Sequence, residues 1–125
     1  MPYRPPRSVA SAAARSLAVR GEKPSSQRGM TPVGIARARD LSNRAALSLT
    51  TVRRMLGYFS RHLPDKQGAT WIEQGKGWQA WHGWGGDAGA RWAIRIVRRE
   101  DRDWFDQWAT RPRNRALMRH LRRAR

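Results

Sequence analysis

The sequence predicts an all-α fold, a compact small helical bundle with basic, partly flexible N- and C-terminal arms. Three observations carry this expectation. Apolar residues recur at steps of three and four from Leu49 to Leu63, and helix boundary signals stand at Thr31-Pro32, Ser48, Pro64 and Arg111-Pro112. No stretch alternates apolar and polar residues as a half-buried strand does. The 125 residues suffice for one domain. A domain of this size hides only about 60 to 70% of the surface its unfolded chain exposes, which argues against a large buried active-site cavity.

Element by element, Ser8 to Arg20 is alanine-rich, with Val9, Ala13 and Leu17 four apart, and reads as a helix with a thin apolar face stopped by Gly21. Glu22 to Met30, with Lys-Pro-Ser-Ser-Gln-Arg-Gly, reads as a flexible linker. Thr31 caps a second helix with Pro32 at its first position. That helix carries Val33, Ile35, Ala36 and Leu41, keeps Arg37, Arg39 and Arg44 on its polar side, and ends near Ser42-Asn43. Ser48 caps a third helix, whose stripe of Leu49, Val52, Leu56, Phe59 and Leu63, joined by Met55, is the clearest core-facing surface. Pro64 ends it.

Asp65 to Gly77 is expected as a loop and Gly77 to Trp84 as a short helix. Gly85-Gly86 breaks the pattern, and Asp87 is positioned to cap a helix facing Trp92, Ala93, Ile96 and Val97 inward. That helix runs on, or bends near Asp101, to present Trp104 and Trp108. Asn114 starts a last basic amphipathic helix bearing Leu117, Met118 and Leu121. The resulting division is an arm with a short helix and linker (residues 1–30), a helical core (31–110) and an arginine-rich tail (111–125).

Seven tryptophans fall between Trp71 and Trp108. Trp78, Trp81 and Trp84 step by three, so on a helix they fan across one side by about 60° per step. The fan suits the filling of a small core, since several exposed tryptophans invite aggregation. The alternative leaves one or more of these rings exposed to stack bases or dock a protein. Gly75, Gly77, Gly83, Gly85, Gly86 and Gly89 indicate tight turns, and without a following Gly-Lys-Ser or Gly-Lys-Thr they do not spell a phosphate loop.

His62, His82 and His120 are too dispersed to form a local ligand pair. Asp40, Glu73 and Asp87 would have to meet to hold Mg²⁺, and nothing in their spacing requires it. Glu100, Asp101, Asp103 and Asp106 lie among arginines, with Arg99 to Asp103 and Arg102 to Asp106 four apart, the spacing of surface ion pairs. There is no cysteine, which removes thiolate chemistry and disulfides. No nucleophile triad, paired-carboxylate spacing, metal motif or cofactor motif stands out, so the expectation is a non-enzymatic protein without metal or cofactor. No apolar run approaches the ~20 residues of a membrane span, and the N-terminus lacks a secretory apolar stretch.

The net charge is +17, from 26 Lys and Arg against 9 Asp and Glu. Residues 1–29 hold six basic and one acidic side chain, residues 30–110 thirteen and eight, and residues 111–125 seven and none. Arginine's planar fork suits phosphate, so the expected partner is a polyanion, above all nucleic acid. The contact residues expected are Arg111, Arg113, Arg115, Arg119, Arg122, Arg123 and Arg125, with Arg37, Arg39, Arg53 and Arg54 as a core-side patch.

Three ordered blocks carry a resemblance over about residues 31–97. They are Val33-Gly34-Ile35-Ala36-Arg37-Ala38-Arg39-Asp40-Leu41-Ser42-Asn43, then Leu47-Ser48 through Arg54-Met55 to Tyr58-Phe59-Ser60-Arg61-His62, and then Gly75-Lys76-Gly77-Trp78-Gln79-Ala80-Trp81 with Trp84-Gly85-Gly86-Asp87-Ala88-Gly89 and Trp92-Ala93. This middle region resembles a small uncharacterised helical domain that recurs in bacteriophage and prophage proteins. The resemblance implies a phage origin, a place in the host cytoplasm or the virion, and DNA more than RNA as partner. It implies nothing catalytic. Leu49-Thr50-Thr51 departs from its pattern, in which acidic or polar residues follow Leu47-Ser48, and the segment after Thr110 lies outside it. The leading expectation is therefore a phage accessory protein binding nucleic acid through phosphates. The alternatives are a virion assembly protein docking its Trp/Gly surface on a capsid or portal partner, and membrane activity of the basic C-terminal segment.

Overall fold

In the computed structural model, which describes residues 2–124, seven α-helices follow one another: α1 (Arg7–Glu22), α2 (Pro32–Ser42), α3 (Leu49–His62), α4 (Lys76–Gly83), α5 (Gly86–Glu100), α6 (Arg102–Ala109) and α7 (Pro112–Arg123). The fold is all-α. Strand-like pairing among the described residues is limited to one bridge, in which Tyr3 and Leu47 exchange backbone hydrogen bonds of 2.7 and 2.8 Å.

Local signals account for most boundaries. The Thr31 side chain accepts a hydrogen bond from the Gly34 N–H and Ser48 from the Thr51 N–H, satisfying amides that no helical turn reaches. Asp101 does the same for Trp104 and breaks the long helix into α5 and α6. On α3, Val52, Met55, Leu56 and Phe59 have no solvent exposure, while Leu49 and Leu63 close the stripe at its partly buried ends. Trp92, Ala93, Ile96 and Val97 of α5 are buried as their spacing predicts.

The N-terminal segment departs from an arm. Gly21 does not stop α1, which ends at Glu22, because Lys23 precedes Pro24 and takes the extended conformation that proline imposes on its neighbour. Val9, Ala13 and Ser16 are fully buried, and α1 packs against α2, α4 and α5. The buried face of α2 is correspondingly small. Gly34, Ala38 and Leu41 turn inward, and Val33, expected on the apolar face, is 63% exposed.

The stretch from Glu22 to Met30 is held by a side chain the sequence did not single out. Gln79, fully buried on α4, accepts from the Gly29 N–H (2.7 Å) and donates to the Gln27 and Gln74 carbonyls (3.1 and 3.0 Å). Arg20 adds a 2.8 Å bond to the Gly29 carbonyl. A buried amide with both ends partnered specifies one path for the backbone it holds.

Asp87 is not the cap of α5. Gly85 occupies that position with φ 109°, and a Cβ there would stand 2.7 Å from Val9 Cγ1 and 2.9 Å from the Gly89 Cα, so only glycine fits. The Asp87 carboxylate instead accepts from Trp81 Nε1 (3.0 Å), pairs with Lys66 (3.0 Å) and lies 3.3 Å from His120 Nε2, tying α4, the loop after α3 and α7 to α5. Burial works against its charge, yet Lys66, Trp81 and His120 outweigh it and hold the carboxyl below its usual value of 3.8. A depressed carboxyl pKa gives stability that is present above the unfolded value and is lost as pH falls through the folded one. Melting curves of wild type and Asp87→Asn should therefore lie far apart near pH 6 and converge as pH falls below 3.8. A separation independent of pH would show that the charge of Asp87 is not what matters.

Candidate functional site

The tryptophan fan is mostly interior. Trp81 has no exposure, and Trp78, Trp92 and Trp108 are buried. Trp81 packs edge-on against Phe59 with centroids 4.9 Å apart. Of the three rings offered for stacking or docking, only Trp84 keeps a partly exposed edge. One neighbour is Tyr58, stacked at 4.8 Å, and Arg37 stands over the ring at 6.0 Å. His82 stacks on Trp78 and bonds its carbonyl (2.9 Å), with burial, the largest influence, pushing its pKa down.

The core-side arginine patch does not assemble as four free cations. Arg37 pairs with Asp40 at 3.0 Å and is only 16% exposed. Arg53 pairs with Asp101 and lies over Trp104. Arg39 on α2 and Arg54 on α3 remain exposed without an acidic partner among the described residues. Arg44 lies past the end of α2 and donates to the Pro5 carbonyl (2.9 Å), pinning the N-terminus. Asp40, Glu73 and Asp87 do not meet, and no group of three metal-binding side chains forms among the described residues.

The C-terminal segment, expected as a tail, is the docked helix α7. Leu117 and Leu121 are buried, Asn114 donates to the Trp108 carbonyl (2.7 Å), and Arg91 of α5 donates to the Leu121 carbonyl (2.9 Å). With that face fixed, Arg111, Arg113, Arg115, Arg119, Arg122 and Arg123 are all exposed, and none has an acidic partner among the described residues. At 100° per residue, Arg115, Arg119, Arg122 and Arg123 share one outward arc of about 100°. Arg125 lies outside the described residues.

Beside α7 opens a groove of about 590 Å³ between α5, α6 and α7. Five arginines rim it: Arg91, Arg95, Arg98, Arg102 and Arg122. Its one carboxylate, Asp106, is bound by Arg102 at 3.0 Å, the pair expected from the spacing of four, whereas Arg99 pairs with Glu100 rather than Asp103. Arg91, Arg95, Arg98 and Arg102 step by four, three and four, a periodic stripe that the sequence offered and that ion-pair reasoning about the neighbouring acids obscured. The groove and the α7 arc form one continuous arginine surface through Arg122. Guanidinium groups carried on docked helices need no tail to be ordered before they meet an anion.

Comparison with family models, with curated proteins and with solved structures finds no match to this chain.

Proposed function

We propose that this chain is a non-enzymatic phage accessory protein that binds nucleic acid, DNA before RNA, through phosphate contacts. One observation carries the reading: α7 is anchored by its apolar face while six arginines are exposed with no acidic partner among the described residues. Like charges held this close on one helix repel each other, and an anionic lattice relieves that repulsion. Duplex DNA presents such a lattice, with one charge per about 1.7 Å of axis. Contacts of this kind position the protein and carry no base sequence, so binding should be insensitive to sequence. The phage context rests on the resemblance of residues 31–97.

Two features favour this reading over its rivals. The rings that a docking surface for capsid or portal would need are largely inside, and the apolar residues that α7 would insert into a lipid surface are already packed on α3, α5 and α6. No helix among the described residues is long and apolar enough to cross a membrane. The test is a salt titration of binding to random-sequence DNA. Neutralising about five phosphates predicts a slope near −4.5 for log affinity against log salt. A flat dependence, or no binding at ~50 mM salt, overturns the reading.

A further inference from the structure

A second cleft, of about 540 Å³, lies between α2, α3 and α4, away from α7. Small residues open its floor. A Cβ added to Gly57 would meet only the Arg61 guanidinium, at 3.2 Å, and Gly34 and Ala80 contribute little bulk beside it. Three parallel rings line the cleft: His62 stacked on Tyr58 (4.6 Å, 19°) and Tyr58 stacked on Trp84 (4.8 Å, 8°). Met30 and the exposed Val33 add apolar lining. Its cations are Arg54, Arg61 and Lys76, all exposed. No carboxylate lines it, and Asp65, the acid next to His62, is held on the ring Nδ1 at 3.0 Å.

We propose that this cleft takes one unpaired base of a single-stranded nucleic acid, with the flanking phosphates on Arg54, Arg61 and Lys76. The proposal rests on the nucleic-acid reading above and adds strand preference to it. A cleft of this volume lies within the ~300 to 1,000 Å³ range of small-ligand sites. Tyr58 is sandwiched between His62 and Trp84, and Arg37 stands over Trp84, so the 43% exposed His62 ring offers the face for a base, and cations without carboxylates suit its phosphates. A base inside a duplex is paired and stacked, and cannot enter without being extruded. The α7 surface binds either form of DNA by charge, whereas the cleft acts on single strands alone.

The experiment compares a fluorescent oligothymidine with a duplex of equal length, at one salt concentration, on the full chain. Gly57→Leu fills the cleft from a helical position where leucine is the better helix former. It should lower affinity for the single strand about tenfold, equivalent to ~1.4 kcal/mol, and leave duplex affinity unchanged. Arg54→Gln with Lys76→Gln, both on exposed side chains, should shift the single-strand affinity more than the duplex affinity. Equal losses on both nucleic acids, or an unaffected single strand in a Gly57→Leu protein that melts like wild type, overturn the proposal. In that event duplex binding that still depends on α7 leaves the α7 reading standing. Failure to bind either nucleic acid removes both.

Discussion

Removing residues 1–22 should unfold the chain rather than trim an arm. They include α1 (Arg7–Glu22), whose Val9, Ala13 and Ser16 have no solvent exposure and whose partners are α2, α4 and α5. Burying an apolar side chain the size of valine contributes about 1.5 to 3 kcal/mol, and cavities left in a core add to the cost. The deletion also strips the Ser16 hydroxyl from the Gln79 carbonyl, removes the Tyr3–Leu47 bridge and leaves the faces of three helices open to water. Against a total stability of about 5 to 15 kcal/mol for a small domain, these losses together are decisive. The measurement is a thermal melt followed by far-ultraviolet circular dichroism. A truncated chain that still melts cooperatively near the wild-type temperature would show that α1 is dispensable.

The second large effect is on binding. Replacing Arg115, Arg119 and Arg122 by glutamine removes three guanidinium groups from the outward face of α7 without touching Leu117 or Leu121. Each lost phosphate contact should flatten the salt slope by about one. Extrapolated from 1 M to ~50 mM salt, three contacts at −0.9 each amount to roughly three thousandfold in affinity for duplex DNA. The melting temperature should hold or rise, because exposed like charges at helical spacing destabilise. Unchanged affinity in a folded triple variant would place the contact elsewhere.

The two predictions mark where the sequence was legible. Caps at Thr31 and Ser48, the stripe of α3 and the inward face of α5 depend on residues within a few positions of one another, and spacing alone reveals them. The α7 arginines were legible for the same reason, since a helix with leucines at one phase must carry its charges at another. The linker reading of Glu22 to Met30 failed because its order comes from Gln79, some fifty residues away, and a glutamine between two tryptophans gives no local sign of burial. Val33 misled because helix spacing identifies an apolar face, while the neighbouring helices decide which arc of it they cover, here Gly34, Ala38 and Leu41.

By itself, then, the sequence determined the helical class, most helix boundaries, and the concentration of unneutralised arginine at the C-terminal end, because these follow from backbone capping, periodicity and charge count. The tertiary structure decided which charges are free. It paired Arg53 with Asp101, turned Asp87 from a cap into the junction of four segments, docked α1 and α7 on the core, and opened two clefts at helix contacts. Those outcomes depend on distances between residues remote in the chain, which no local pattern encodes.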